Sequence, residues 1–126
     1  MPEIAELMNT DVVTVEKGTP VIEAIRKLVK HNFTGLPVVD SQNHVIGIIS
    51  EKDMLALAVK INEGSYYSID NELMVEEFMT NRVVTIDANE SLAALCSCLM
   101  KNKFRRLPVL LKNKLVGIVT RKDIIS

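Results

Sequence analysis

The chain has 126 residues, of which 48% are hydrophobic, and its formal net charge is −1. This length and hydrophobic fraction suffice for one compact domain or two small fused units. A net charge near zero argues against the basic surface that non-specific nucleic-acid binding requires. No apolar run approaches the roughly 20 residues that span a bilayer, and the first residues lack the basic and apolar segments of a signal peptide, so we expect a cytoplasmic protein with no membrane attachment.

One sequence pattern occurs twice along the chain. A shift of 71 positions aligns LMNTDVVTV (7–15) with FMTNRVVTI (78–86) and HNFTGLPVV (31–39) with NKFRRLPVL (102–110). After a one-residue deletion, VIGIISEKDML (45–55) aligns with LVGIVTRKDII (115–125). The segment between the copies, NEGSYYSIDNE, is polar and typical of a linker. We therefore predict one repeat over 1–61, a linker over 62–72 and a second repeat over 73–126.

Within each repeat the residue pattern predicts the elements in order. DVVTV and RVVTI are short β-branched strands. An amphipathic helix follows, with Thr19 as its cap and Pro20 at its first position. Its apolar stripe has the i, i+3, i+4, i+7, i+8 spacing in both copies: Val21, Ala24, Ile25, Leu28 and Val29, then Leu92, Leu95, Cys96, Leu99 and Met100. Two strands joined by a turn come next, at 41–43 and around Asn113, and a second helix closes the repeat, giving β-α-β-β-α.

Residue types that carry catalysis are isolated in this sequence. His31 and His44 have no positioned partner, and neither a GxxxxGK[ST] loop nor an HExxH motif is present. Cys96 is predicted on the buried stripe of its helix and Cys98 on the exposed side, so these reduced thiols cannot share a metal ion. The sequence therefore predicts no catalytic residue, no metal site, no required cofactor and no enzyme activity.

Both repeats resemble cystathionine-β-synthase (CBS) domains, which carry an MT…VVTV leading strand, an LPVVD strand and a closing glycine-apolar-apolar-Ser/Thr-x-x-Asp motif. Here the closing motifs are GIISEKD (47–53) and GIVTRKD (117–123). Because CBS domains work as tandem pairs, the resemblance implies an α/β (α+β) fold of two repeats with pseudo-two-fold symmetry. In many relatives two clefts between the repeats bind adenosyl ligands, and the pairs commonly form dimers. The resemblance thus implies AMP, ADP, ATP or S-adenosylmethionine as ligand, and a homodimer.

Each closing motif supports two interpretations. Ser50 and Asp53, like Thr120 and Asp123, have the spacing of a capping box at a helix N-terminus. The same geometry suits a nucleotide, because helix amides and the hydroxyl can bind a phosphate while the carboxylate accepts from both ribose hydroxyls. The glycine of each motif lets a ligand or another backbone approach the strand closely.

The repeats differ just before their shared LPV strand. The first has Thr34 and Gly35, whereas the second has Arg105 and Arg106. An arginine matches phosphate oxygens bidentately and glycine offers nothing comparable, although most arginines are merely solvated surface charges. Neighbouring residues entering a strand point to opposite sides, so we predict that Arg106 is the ligand residue. The basic stretch from 101 to 122 would attract anions to this site, or serve as a patch for a nucleic acid or an acidic partner.

The resemblance implies two unequal sets of ligand-binding residues. The stronger set belongs to the second repeat: Thr80, Val83, Arg105, Arg106, Leu107, Pro108, Thr120, Lys122 and Asp123. The weaker set belongs to the first repeat: Val12, Thr34, Gly35, Pro37, Ser50 and Asp53.

Two functions of different class follow from these observations. The first is a regulatory module that senses an adenine nucleotide or another adenosyl compound, with a regulated protein as partner. The second is a scaffold for oligomerisation or partner docking, in which the closing motifs are only helix caps. The first repeat has apolar residues beyond its closing motif through Ile61, and the second does not. We expect either that the last helix is short or that the chain was cut from a longer protein.

Overall fold

The computed structural model describes residues 3–62, 73–102 and 106–125. The chain divides into two compact units, one formed by Val13–Val83 and the other by Met1–Val12 together with Val84–Ser126. Each unit thus combines the body of one repeat with the leading segment of the other. The compact units therefore do not coincide with the sequence repeats.

The predicted β-α-β-β-α order is confirmed in both repeats. The elements of the first repeat are β1 (Val15–Glu16), α2 (Val21–His31), β2 (Gly35–Val39), β3 (Val45–Ser50) and α3 (Glu51–Asn62). Those of the second are β4 (Ile86–Asp87), α4 (Leu92–Lys101), β5 (Leu107–Leu111), β6 (Lys114–Val119) and α5 (Arg121–Ile125). Each body follows a leading segment, residues 3–12 or 73–83, with one helical turn: α1 (Ile4–Leu7) or a 3₁₀ turn (Val75–Glu77).

Each unit contains a three-stranded sheet of the same topology. The first strand pairs in parallel with the second, which pairs antiparallel with the third, in the orders β1-β2-β3 and β4-β5-β6. Both hairpins carry a bulge at the same place, immediately after Val38 and after Val109. The first strands are shorter than predicted, because β1 pairs only at Val15 and Glu16.

The leading segments close the outer edges of these sheets. In the first unit the amide and carbonyl of Thr80 pair with those of Ile48, at 2.8 and 2.9 Å. In the second unit Asn9 pairs with Ile118 at the same distances. A β3 or β6 edge has unpaired backbone groups, and this pairing satisfies some of them.

A methionine of each leading segment lies over the glycine of a closing motif. A Cβ atom built on Gly47 would lie 2.8 Å from Cγ of Met79, and one built on Gly117 would lie 2.8 Å from Cγ of Met8. Distances this short are not tolerated, so any larger residue would displace the methionine. The sequence left open whether a ligand or another part of the backbone approaches these glycines. In the structure a leading segment does so.

The core of each unit lies between its sheet and its helices. Leu28, Leu36 and Ile49 are among the buried residues of the first unit, and Leu95, Leu107 and Val119 are among those of the second. The predicted helical stripes are only partly buried, because Val29 remains 73% exposed and Met100 83% exposed. The last apolar position of each stripe therefore lies outside the core of its unit.

Three predictions about the helices are wrong. Helix α2 begins at Val21 with Pro20 at its cap position, and it has no side-chain cap because proline has no polar side chain. Cys96, expected in the core, is half-buried. Cys98, expected at the exposed side of α4, is also half-buried and packs against the core of its unit.

Candidate ligand-binding sites

The closing motif of the first repeat forms the predicted capping box at α3. The amide and the hydroxyl of Ser50 both donate to Oδ2 of Asp53, each at 2.9 Å. The amide of Asp53 in turn points to Oγ of Ser50 at 3.4 Å. The carboxylate is therefore fixed in orientation by the turn that begins the helix.

The second repeat builds the same arrangement at α5. Oδ2 of Asp123 accepts from the amide of Thr120 at 2.8 Å and from its hydroxyl at 3.0 Å. The return contact runs from the amide of Asp123 to Oγ1 of Thr120 at 3.3 Å. The local structure is thus a helix cap in both repeats, whichever further function it has.

The two sites differ in charge, as the sequence predicts. Arg106 immediately precedes β5 and is half-buried, and this burial lowers the pKa of its guanidinium from the ordinary value. The nearby carboxylate of Asp123 acts in the opposite direction and raises that pKa. Arginine stays protonated despite such shifts, so the second site contains a cation whose charge interacts with that of the Asp123 carboxylate. At the equivalent position of the first site, Gly35 has no side chain.

The structure regroups three of the predicted site residues. Thr80 and Val83 were assigned to the second repeat's site, but they lie in the unit of the first repeat, where Oγ1 of Thr80 donates to Oδ1 of Asp53 at 3.3 Å. Val12 was assigned to the first repeat's site and lies in the other unit. The structure groups these residues by unit in this way because each leading segment pairs with the sheet edge of the other repeat.

Other predicted site residues are part of the framework. Leu107, Pro108 and Pro37 are buried in β5 and β2. Thr34 accepts the first amide of α3, that of Glu51, at 3.0 Å through its carbonyl. Lys122 is exposed on α5, and Arg105 lies outside the described residues.

Sequence reasoning missed the contacts that two residues near these motifs make. Asn9 takes the position beside β6 that Thr80 takes beside β3, and the 71-residue shift already aligned the two. Arg121, expected among the anion-attracting charges, instead donates to the carbonyls of Leu99 and Asn102 at 2.9 and 3.2 Å. It therefore caps the C-terminus of α4.

The remaining polar groups form local contacts. His44 lies 3.1 Å from Asp40 within the β2–β3 turn, and His31 stacks on Phe33. In the part of the chain that the structure describes, no group of three or more His, Cys, Asp or Glu residues could hold a metal ion. No helix over those same residues is long and apolar enough to cross a membrane.

Comparison with known families agrees with this architecture. The chain matches the CBS domain over residues 4–60 and again over 75–126. It therefore belongs to the CBS-domain family and contains a tandem pair of these domains.

Individual relatives give the same result. The chain is 33% identical to the uncharacterized protein MJ1225 of Methanocaldococcus jannaschii over 124 residues, which are 98% of this chain and 41% of that protein. The crystal structure of CBSX2 in complex with AMP, a protein of Arabidopsis thaliana, has a TM-score of 0.80 at 29% identity and covers 99% of this chain and 94% of its own. The CBS pair of MJ0100, solved with 5-methylthioadenosine and S-adenosyl-L-methionine, has a TM-score of 0.73 at 27% identity and covers 98% and 93%.

Proposed function

We propose that this chain is a regulatory module that binds an adenine nucleotide or a related adenosyl compound, most tightly at the site of Arg106, Thr120 and Asp123. The observation that carries the proposal is the half-buried Arg106 just before β5 in the same unit as the oriented carboxylate of Asp123, whose charge it senses. A cation and an oriented carboxylate at the ends of two neighbouring elements match the phosphate and the ribose of one nucleotide.

The chemistry of the three residues assigns a role to each. Arg106 donates to phosphate oxygens through its planar fork, which is a stronger contact than a neutral hydrogen bond. Oδ1 of Asp123 accepts from the ribose hydroxyls, since Oδ2 is already held by Thr120. Thr120 fixes the direction of the carboxylate and so reduces the cost of ordering it on binding.

Relatives support this ligand class. CBSX2 was solved with AMP, and the CBS pair of MJ0100 with methylthioadenosine and S-adenosylmethionine. These three compounds share an adenosyl group and differ in what is attached to it. A site with Arg106 favours the phosphate-bearing member, so AMP, ADP or ATP is the expected ligand.

The module is proposed to regulate rather than to catalyse. The described site contains a cation, a carboxylate and a hydroxyl, but the hydroxyl is engaged by the carboxylate with no histidine in the group. The chain spans 41% of the length of MJ1225. A regulated protein in the cytoplasm is proposed as the partner, and neither a nucleic acid nor a membrane is expected.

Assembly into a homodimer is part of the proposal. Four apolar side chains remain exposed at equivalent positions of the repeats: Val29 and Met100, and Leu55 and Ile125. A groove of about 410 Å³ lined by Cys96, Met100 and Ile125, among others, lies between α4 and α5. Since the helical periodicity marks these positions as apolar while one chain leaves them exposed, a second copy is the expected cover.

Calorimetric titration with AMP and with adenosine tests the ligand proposal. Replacing Arg106 by Ala removes charge-assisted hydrogen bonds worth about 1.5–3 kcal/mol, so AMP should bind roughly 10- to 100-fold more weakly while adenosine changes little. Lys114→Ala is the matched control, because it removes an exposed cation of the same unit from the start of β6. Equal losses for AMP and adenosine would exclude the phosphate role of Arg106.

The alternative function is a scaffold, and the same titration distinguishes it from a ligand-binding module. Its supporting observation is that the hydroxyl and the carboxylate of each closing motif are bonded to each other in a complete capping box. If no adenosyl compound binds or raises the melting temperature, although a ligand at about 100 times its Kd would add about 2.7 kcal/mol, the scaffold is the better description.

A further inference from the structure

The carboxylates of the two sites differ in how many of their oxygens are already occupied. In the first repeat Asp53 accepts from Ser50 on Oδ2 and from Thr80 on Oδ1, the second contact being 3.3 Å long. In the second repeat Oδ2 of Asp123 accepts from Thr120, and no donor within residues 3–62, 73–102 and 106–125 reaches its Oδ1. The oxygen that a ribose would use is thus engaged at one site only.

The difference arises from one substitution between the leading segments. Thr80 and Asn9 hold the same backbone position, each paired with the edge of its sheet. The side chain of Asn9 turns back and accepts the amide of Asp11 on Oδ1 at 2.9 Å. The hydroxyl of Thr80 has no such local bond and donates to Asp53 instead.

The backbone around Thr80 keeps its hydroxyl in reach of Asp53. Its amide and carbonyl are bonded to Ile48, and the preceding Met79 lies over Gly47. Further back, Val75 is fully buried and its amide bonds to the carbonyl of Thr19. Only rotation of the exposed Thr80 side chain can therefore release Asp53.

We infer that Thr80 is an affinity-setting residue that competes with a ribose for Asp53 and thereby weakens the first repeat's site. This inference rests on the proposed function and assigns Thr80 the opposite effect from that of a ligand contact. A ligand at Asp53 must break the Thr80 bond before it gains its own, whereas none of the described residues donates to Oδ1 of Asp123 in competition with a ligand. The long bond implies a modest effect, about two- to fivefold in Kd.

The test uses protein that carries Asp123→Asn, a change intended to weaken the second site. This protein is titrated with adenosine, so that binding at the first site is measured. Adding Thr80→Val, which keeps the branched shape and removes the hydroxyl, should tighten adenosine binding by about two- to fivefold. Thr80→Ser restores the hydroxyl and should bind as weakly as the parent. The reciprocal variant Asn9→Thr, made in otherwise unchanged protein, should place a hydroxyl near Asp123 and weaken AMP by a similar factor.

The possible outcomes separate this inference from the proposed function. If Thr80→Val weakens adenosine or leaves it unchanged while the unchanged protein still binds AMP, Thr80 is no competitor and the inference alone is overturned. If the unchanged protein binds neither AMP nor adenosine, the proposed function fails and the inference falls with it. A denaturation curve of each variant verifies that it folds. If Thr80 had only a structural role, a Thr80→Val protein that is less stable would not bind adenosine more tightly.

Discussion

At the scale of single residues, the repeated motif combines two structural tasks with one candidate binding task. Its hydroxyl and aspartate cap a helix, as Thr120 and Asp123 do at α5. Its glycine provides room for a methionine of a leading segment, as Gly117 does for Met8. The capping box was predictable from residue spacing alone, whereas the methionine contact was not, because it joins residues that are far apart in the chain.

The methionine contact predicts a measurable coupling between two residues. Gly117→Ala places a Cβ atom 2.8 Å from Cγ and 3.1 Å from Cβ of Met8, and overpacking of this kind costs about 1–3 kcal/mol of unfolding free energy. Met8→Ala removes Sδ and Cγ but keeps Cβ, so the double variant should recover part of that loss, which urea denaturation of all four proteins would measure.

The first repeat provides the matched comparison. A Cβ atom at Gly47 would also lie 3.0 Å from the carbonyl oxygen of Thr80, which is backbone and cannot rotate away. Met79→Ala should therefore likewise recover part, but not all, of the Gly47→Ala loss. Simple additivity in both pairs would show that the methionines do not limit the glycine positions.

At the scale of elements, the hairpins illustrate what a repeat alignment predicts and what it leaves open. Both consist of two strands joined by a turn, as the sequence predicts, and they also share an antiparallel register and a bulge that the sequence analysis did not predict. Their turns differ, since Lys112 and Asn113 adopt positive φ of 52° and 65° in the second repeat. In the first, Asp40 accepts the amides of Gln42 and His44 at 2.9 Å each.

The Asp40 turn predicts a pH dependence of stability. The hydrogen bond from the His44 amide is the largest cause that lowers the pKa of Asp40 below its ordinary value, and the His44 side chain and the Gln42 amide act in the same direction. A carboxyl whose folded pKa is depressed stabilises the fold above its unfolded pKa of about 3.9, and this contribution is lost as the pH falls through the folded value.

Denaturation curves of the unchanged protein and of Asp40→Asn measure this contribution. The unchanged protein should be the more stable of the two at pH 6–7, and the difference should shrink as the pH falls below about 4. A difference that stays constant down to pH 3 would show that the charge of Asp40 does not contribute. The corresponding turn of the second repeat has no acidic residue over 111–114, so substitutions there should lack this pH dependence.

At the scale of the whole molecule, the repeat alignment predicted the pair of CBS domains and their element order. It could not predict that the leading segments exchange between repeats, because the apolar pattern of a segment does not say which of two similar sheet edges it pairs with. The exchange places Thr80 and Val83 in the unit of the first repeat and Val12 in the other unit. The periodicity likewise marked Val29 and Met100 as apolar without showing that one chain leaves them exposed.

The exchange also changes the charge distribution on which the direction of a dimer depends. Divided by repeats, residues 1–74 carry 6 basic and 11 acidic side chains, and residues 75–126 carry 9 basic and 5 acidic, or −5 and +4. Divided by compact units, residues 13–83 carry 7 basic and 10 acidic side chains, and the remainder carries 8 and 6, or −3 and +2. The signs remain opposite, so unlike units should still attract, with a smaller bias.

We therefore predict a homodimer in which unlike repeats face each other, and exposed side chains of α2 and α4 offer the test. With Cys96 and Cys98 replaced by alanine, Val29→Cys and Met100→Cys introduce single thiols at equivalent positions that are 73% and 83% exposed. Mixing the two variants should give a disulfide-linked heterodimer under mild oxidation, whereas each variant alone should link poorly. Efficient linkage of either variant with itself would show that like repeats face each other. Apolar packing would then outweigh the charge bias, in which each exposed pair of charges contributes at most about 1 kcal/mol.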